Sequence, residues 1–257
     1  MKELETFRAF ILHTRDFKEN QVLIEALVEG EGRLSLVGYK GSKKNSARNA
    51  LFQPFRPIQI QFRKDAGLRK LVNIEADQSI VAESLLLTGK ILFCGFYLNE
   101  LVCRLCPADA QFYELYALYL KSVRQLVKLG QGNAQFNLEL QLILRRFEFQ
   151  LLNTLGYGLD LEFEAETNQV IQAESYYELL VEKGFVLSLN PNRAISGILL
   201  QQFKSVLMGA ESVSNCGKTS NFDIKLVLAT GKHILRQCLH RHLGDKPLKS
   251  RELFRTK

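Results

Sequence analysis

The spacing of apolar residues changes once along this chain, and that change limits the fold more than any single motif. Up to about residue 80 the apolar positions alternate in short runs: Phe7, Ala9, Ile11; then Val22, Ile24, Ala26, Val28; then residues 33–39. Ile58-Gln59-Ile60-Gln61-Phe62-Arg63 is the cleanest run, and residues 68–76 follow it. Alternation of this kind puts one face of a strand in a core and the other toward solvent. His13-Thr14-Arg15-Asp16, Glu29-Gly30-Glu31-Gly32 and Asp65-Ala66-Gly67 read as turns between the runs. Residues 47–52 read as a helical turn ended by Pro54 and Pro57. Five strands with a short helix between the third and fourth predict a small closed barrel of oligonucleotide-binding (OB) type, and an open five-stranded sheet would leave the same pattern.

Beyond residue 80 the spacing becomes helical. Residues 82–105, 109–129 and 136–155 are predicted helices. In the third, Leu140, Leu144, Phe147, Leu151 and Leu155 share a face, with Gly156 placed for a C-cap. The first two are apolar nearly all round, which predicts central positions. Gly130-Gln131-Gly132-Asn133 separates the second helix from the third. Residues 196–208, with Ser196 as N-cap, and residues 222–243 complete the set, with residues 209–220 as a loop between them. Gly231 lies on the apolar face of the last helix, where it lowers helix propensity by about 1 kcal/mol relative to Ala. A close helix approach accounts for it. Residues 159–190 read as an acidic insertion with a small hairpin, outside the core. The fold class is therefore α+β: a five-stranded OB-fold barrel over residues 1–80, then a helical bundle over residues 81–257 that carries the insertion.

Charge follows this division. Between Gly32 and Lys70 there are ten cations and one acid, Asp65. Residues 160–182 hold seven acids and no Lys or Arg, and residues 232–257 hold eight cations against Asp245 and Glu252. The formal net charge of +7 favours a polyanionic partner mildly. Lys40, Lys43, Lys44 and Arg48 lie along a Gly/Ser-rich loop and can follow phosphates without reading bases. Arg63, Lys64, Arg69 and Lys70 flank the Asp65-Gly67 turn and extend the same surface. Tyr39, Phe55 and Phe62 are stacking candidates, although the alternation assigns Phe62 to the core. The tail cations Lys246, Lys249, Arg251 and Arg255 either join that surface or dock the tail on the acidic insertion.

Other chemistries find little support. No apolar run is long enough to span a membrane, and the opening residues carry no apolar leader. Five cysteines without paired spacing suit a reducing cytoplasm. Cys103 and Cys106 lack the two further ligands of a zinc site, and Cys238 with His242 is at most a pair. The run 212–219 ends in Gly217-Lys218-Thr219 but lacks the glycine turn of a phosphate loop. No catalytic constellation, metal site or cofactor motif emerges.

Several motifs resemble one family in order and spacing. They are Arg8-Ala9-Phe10-Ile11-Leu12-His13, the loop from Tyr39 through Lys43-Lys44 to Gln53-Pro54-Phe55, Tyr97-Leu98-Asn99-Glu100-Leu101, Leu144-Arg145-Arg146-Phe147-Glu148, Leu155-Gly156-Tyr157-Gly158 and Glu182-Lys183-Gly184-Phe185. The sharpest is Lys246-Pro247-Leu248-Lys249-Ser250-Arg251-Glu252-Leu253-Phe254, preceded by Gly244-Asp245. Together they resemble the bacterial recombination mediator family RecO. The resemblance implies an OB barrel and a helical domain that bind single- and double-stranded DNA and anneal complementary strands. It implies a partner, RecR, with which RecA is helped to replace single-strand-binding protein. It implies no enzymatic activity and a cytoplasmic, nucleoid-associated site of action. It also places the contact for the acidic C-terminal tail of single-strand-binding protein at Arg145 and Arg146. The four-cysteine zinc module of some members has no counterpart in residues 159–182, which contain neither Cys nor His. A metal- or nucleotide-dependent nucleic-acid enzyme and an RNA-binding barrel protein are the alternatives that share a basic barrel.

Overall fold

The computed structural model describes residues 4–39, 46–63, 69–80, 85–129, 135–191, 194–209 and 222–254. Five strands, β1 (Phe7–Asp16), β2 (Gln21–Val28), β3 (Gly32–Tyr39), β4 (Pro57–Arg63) and β5 (Arg69–Ala76), close into a barrel in the order β1-β2-β3-β5-β4. Closure removes exposed sheet edges. It is completed by antiparallel pairing of β1 with β4 and a short parallel pairing of β3 with β5, Leu36↔Arg69 and Val37↔Lys70. Every strand sends alternate apolar side chains inward. Ala9, Ile11, Val22, Ile24, Ala26, Val28, Leu34, Leu36, Ile58, Ile60 and Ile74 form one cluster, plugged by Phe52, which follows the short helix α1 (Ser46–Ala50). Each large side chain buried in this way stabilises by about 1.5–3 kcal/mol.

The first strand is longer than the alternation predicts. β1 runs through His13 to Asp16, and the turn falls instead at residues 17–20, where Asn20 has a φ of 60°. The pairing of β1 with β2 slips between Ile11 and His13, so Leu12 is an extra residue, a β-bulge. A second bulge lies in β5: Gln61 pairs with Asn73 and Phe62 with Leu71, leaving Val72 over.

By compactness the chain forms two units, residues 1–128 with 247–257, and residues 129–246. The first adds α2 (Gly89–Leu105), α3 (Leu115–Lys128) and a 3-10 turn at Lys249–Phe254 to the barrel. The outer side chain Phe10 of β1 packs on Tyr116 and Tyr119 of α3, at 5.4 and 5.2 Å between ring centres. Asn99 of α2 donates to the bulge carbonyl of Leu12 at 2.9 Å and accepts from the Tyr119 hydroxyl at 2.6 Å. A bulge frees a carbonyl from the strand ladder, and a buried amide is the partner it needs. α3 is not central, as its apolar content predicts: it buries Leu115, Tyr116, Tyr119, Val123 and Leu126 but exposes Lys121, Arg124 and Lys128 along the opposite stripe.

The second unit holds α4 (Phe136–Thr154), β6 (Tyr176–Leu180), β7 (Gly184–Leu187), β8 (Ile195–Ser196), α5 (Gly197–Met208) and α6 (Ile224–Leu243). α4 buries more than the predicted stripe, because Leu142, Ile143, Phe149 and Leu152 are enclosed as well. Asp223 caps α6 through the Lys225 amide at 2.9 Å. The acidic segment is integral rather than peripheral. Its hairpin β6–β7 gains β8 as a third strand, and Leu161, Ile171, Tyr177 and Phe185 are buried. It also caps α5, where the Ser196 side chain accepts no capping hydrogen bond. The Gly197 amide donates to the Ser175 carbonyl at 2.8 Å and the Ile198 amide to the Ala173 carbonyl at 3.0 Å. Gly156 follows α4 at a φ of 81°, as a C-cap glycine should. The predicted hairpin turn 65–67, the Gly130–Asn133 separator and residues 210–220 of the predicted loop lie outside the described residues.

Candidate nucleic-acid interface

The strand registers lay out the outer face of the barrel. Arg15 pairs with Leu23, Leu23 with Val37, Val37 with Lys70, and Lys70 with Arg63. Paired residues point to the same face, so these five side chains form one transverse row across all five strands. Its cations are exposed, while Leu23 and Val37 at its centre are half-buried. Beside the row, Gln21 pairs with Tyr39, whose ring is 57% exposed. The Gln21 amide donates to the Tyr39 hydroxyl at 2.9 Å, which fixes the ring's edge and leaves a face for stacking.

Both bulges serve this row. If Leu12 were paired in regular alternation rather than bulged, β1 would turn Arg15 inward, and if Val72 were paired so, β5 would turn Lys70 inward. Each extra residue shifts the phase by one and delivers a cation to the outer face. Arg63 and Lys70 then stand directly opposite each other. Like charges so placed are destabilising unless an anion lies between them.

The other cations expected here separate. Arg69 alternates to the far side from Lys70 and pairs with Asp109, with a side chain 11% exposed. Arg48 is part-buried on α1. Lys40, Lys43, Lys44 and Lys64 lie outside the described residues. Arg8 is occupied by Glu29, whose carboxylate raises the pKa of the guanidinium through a 2.5 Å contact. Arg33 is bound to Glu25 and to the Cys106 carbonyl. Phe62 stacks on Phe7 at 5.3 Å and Phe55 is buried, which leaves Tyr39 as the exposed member of the three candidates.

Arg145 is buried on α4, and Glu148 accepts a hydrogen bond from it at 2.6 Å. Arg146 donates to the Val206 carbonyl at 2.6 Å, in the last turn of α5, where a cation meets unpaired carbonyls. Burial lowers the pKa of its guanidinium. Sequence spacing shows both arginines but neither of these partners.

The described part of the tail docks on α2. Residues 247–254 belong to the first unit and lie along α2. The Glu100 carboxylate accepts from the Lys249 amide at 2.9 Å, the Ser250 amide at 2.8 Å and the Ser250 hydroxyl at 2.6 Å. Arg104 donates to the Pro247 carbonyl at 3.1 Å, and the Phe93 and Phe254 rings meet edge to face at 5.7 Å. Backbone amides and rings, rather than tail cations, make the contact, and Lys249 and Arg251 remain exposed.

Burial pushes the Cys103 and Cys106 thiols up to about 12. Among the described residues no three metal-ligating side chains cluster, and no helix is long and apolar enough to cross a membrane. The run 212–219 and Cys216 lie outside the described residues.

Comparison with known proteins agrees with this architecture. The family model for the recombination protein O N terminal matches residues 1–80, and that for its C terminal matches residues 86–252. The chain is 32% identical over 250 residues to the DNA repair protein RecO of Idiomarina loihiensis, covering 96% of this chain and 97% of that one. It is 33% identical over 248 residues to that of Pseudoalteromonas translucida, covering 96% of each. It is 34% identical over 246 residues to that of Nitrosococcus oceani, covering 96% of this chain and 91% of that one. With an OB-type barrel at its start and matches across both halves, the chain belongs to the recombination protein O (RecO) family of DNA repair and recombination.

Proposed function

We propose that this chain is a DNA-binding recombination mediator that acts without catalysing a reaction and without a cofactor, in the cytoplasm at the nucleoid. The observation that carries the reading is the transverse row Arg15, Leu23, Val37, Lys70 and Arg63, with Tyr39 beside it. Cations at its ends neutralise phosphates and release counterions, which gives affinity without sequence preference. Leu23, Val37 and Tyr39 offer apolar and aromatic surface to unstacked bases. Lys40, Lys43, Lys44, Arg48 and Lys64 extend the phosphate track, and both single and double strands are held. Neutralising two strands on one surface lowers their repulsion and favours annealing of complementary strands. With RecR the protein helps RecA replace single-strand-binding protein.

The acidic tail of single-strand-binding protein is taken at α4. Its carboxylates compete with Glu148 for Arg145, and Arg146 adds a second cation. Family membership and the positive barrel face support this reading.

The test is the salt dependence of single-stranded DNA binding by the triple variant Arg15→Ala, Arg63→Ala, Lys70→Ala. Its slope of log affinity against log salt should flatten by about 0.7 for each phosphate that is no longer neutralised. An unchanged slope removes the row from the interface. Strand annealing should persist in EDTA and without nucleotide, and a requirement for either overturns the non-enzymatic reading.

A further inference from the structure

A groove of about 310 Å³ opens between the segment leading into β4 and the segment leading into α2. Pro54, Phe55 and Arg56 line it from one segment, Leu86 and Leu87 from the other, and Leu92 from α2 itself. Its floor is fixed. Phe55 takes a φ of 65°, which a bulky side chain rarely adopts, and its ring meets Phe96 edge-on at 5.3 Å. Gly95 makes room beneath: a Cβ there would lie 2.5 Å from the Leu87 methyl and 2.8 Å from the Phe55 ring. Phe55 and Leu87 are thus held rigidly and almost fully buried. Above them Leu86 stands 72% exposed. With Leu87 and Leu92 it gives the groove an apolar lining.

Charge indicates what fills it. Arg56 is exposed where it lines the groove, and Lys90 is exposed in the first turn of α2. That turn contains no acid, so the positive end of the helix adds to both cations. A nucleobase is a poorer match than a peptide. Bases stack on open aromatic faces, whereas the one ring in this floor, Phe55, is buried.

We propose that this groove docks a short acidic segment of a partner protein, which inserts one large apolar side chain against Leu86, Leu87 and Phe55 and sets a carboxylate against Arg56. The site shares no residue with the DNA-binding row or with the arginines of α4.

The test is fluorescence anisotropy of the full chain with a labelled peptide, Asp-Asp-Glu-Leu-Phe-amide, and a control in which Leu-Phe becomes Ser-Ser, every protein compared also carrying Arg145→Met and Glu148→Leu so that the acidic-tail contact of α4 is absent. Leu86→Asp should weaken binding of the first peptide about tenfold or more, and the control peptide should bind weakly to either protein. Arg56→Glu should weaken it about fivefold and reduce its salt dependence. Affinity for a single strand of about 20 nucleotides should change less than about twofold with Leu86→Asp. Leu86 is exposed, so this variant keeps its fold, which the far-UV spectrum checks. Equal binding by Leu86→Asp and the chain with intact Leu86 overturns the proposal, as does no measurable binding by the chain with intact Leu86. Equal loss of DNA and peptide binding in Leu86→Asp assigns the groove to nucleic acid and also overturns it.

Discussion

A methyl group at Gly231 has no room. Its Cβ would lie 2.1 Å from the Phe203 ring of α5, so the glycine on α6 is what lets the two helices meet. Gly231→Ala gains about 1 kcal/mol of helix propensity, but overpacking costs about 1–3 kcal/mol. Urea denaturation should therefore show the variant less stable than the parent, and a stabilised variant would mean that Phe203 moves aside freely. Arg145 is the opposite case, a side chain whose removal leaves something behind. Its partner Glu148 is 1% exposed, and deleting one member of a buried pair costs about 3–5 kcal/mol. Arg145→Ala should lower stability strongly, while Arg145→Met with Glu148→Leu should recover most of the loss. Peptide binding by that double variant then separates contact from packing. If Arg145→Ala is as stable as the parent, the pair is not held as the structure has it.

At the scale of the element, bulges decide which side chains reach the barrel's outer face. Deleting Val72 removes the extra residue, and Lys70 then keeps its place opposite Arg63 on the outer face of a regular strand. The variant should bind single-stranded DNA more tightly than Lys70→Ala, because its cation stays on the surface. Equal DNA affinities in the two variants would show that Lys70 loses its outward place with the bulge. The bulges also explain what the sequence leaves hidden. The β4 run Ile58 to Arg63 alternates without interruption, and it can be read directly as a strand with Arg63 outward. In β1 the consecutive apolar residues Phe10-Ile11-Leu12 break the pattern, so His13 to Asp16 resemble a turn when they are strand. The signal was a charged Arg15 on the inward phase, which requires a slip in register. Gly231 was legible as a close approach, because glycine in mid-helix on an apolar face has few other uses. The pairing of Arg145 with Glu148 was not, since any arginine three residues from a glutamate reads equally well as exposed. The acidic segment looked peripheral because its charges mask the spacing of Leu161, Ile171, Tyr177 and Phe185, whose burial depends on pairing across the segment.

For the molecule as a whole, the first compact unit is discontinuous in sequence. Residues 247–257 return to it after the entire second unit, and Glu100 holds their 3-10 turn by its amides. Glu100→Ala should free this segment, so trypsin should cut after the exposed Lys249 and Arg251 several times faster than in the parent, as local opening becomes less costly. An unchanged digestion rate would mean that the Phe93–Phe254 contact and Arg104 suffice.

The same return has a consequence for synthesis. α2 leaves the ribosome with Glu100 and Phe93 uncovered, and it stays so until residues 129–246 have been translated. A frameshift after Lys246 would leave every barrel codon intact and still damage the unit that contains the barrel. In this chain the distance of a lesion from the barrel strands, counted in codons, is a poor guide to the harm it does the unit they belong to.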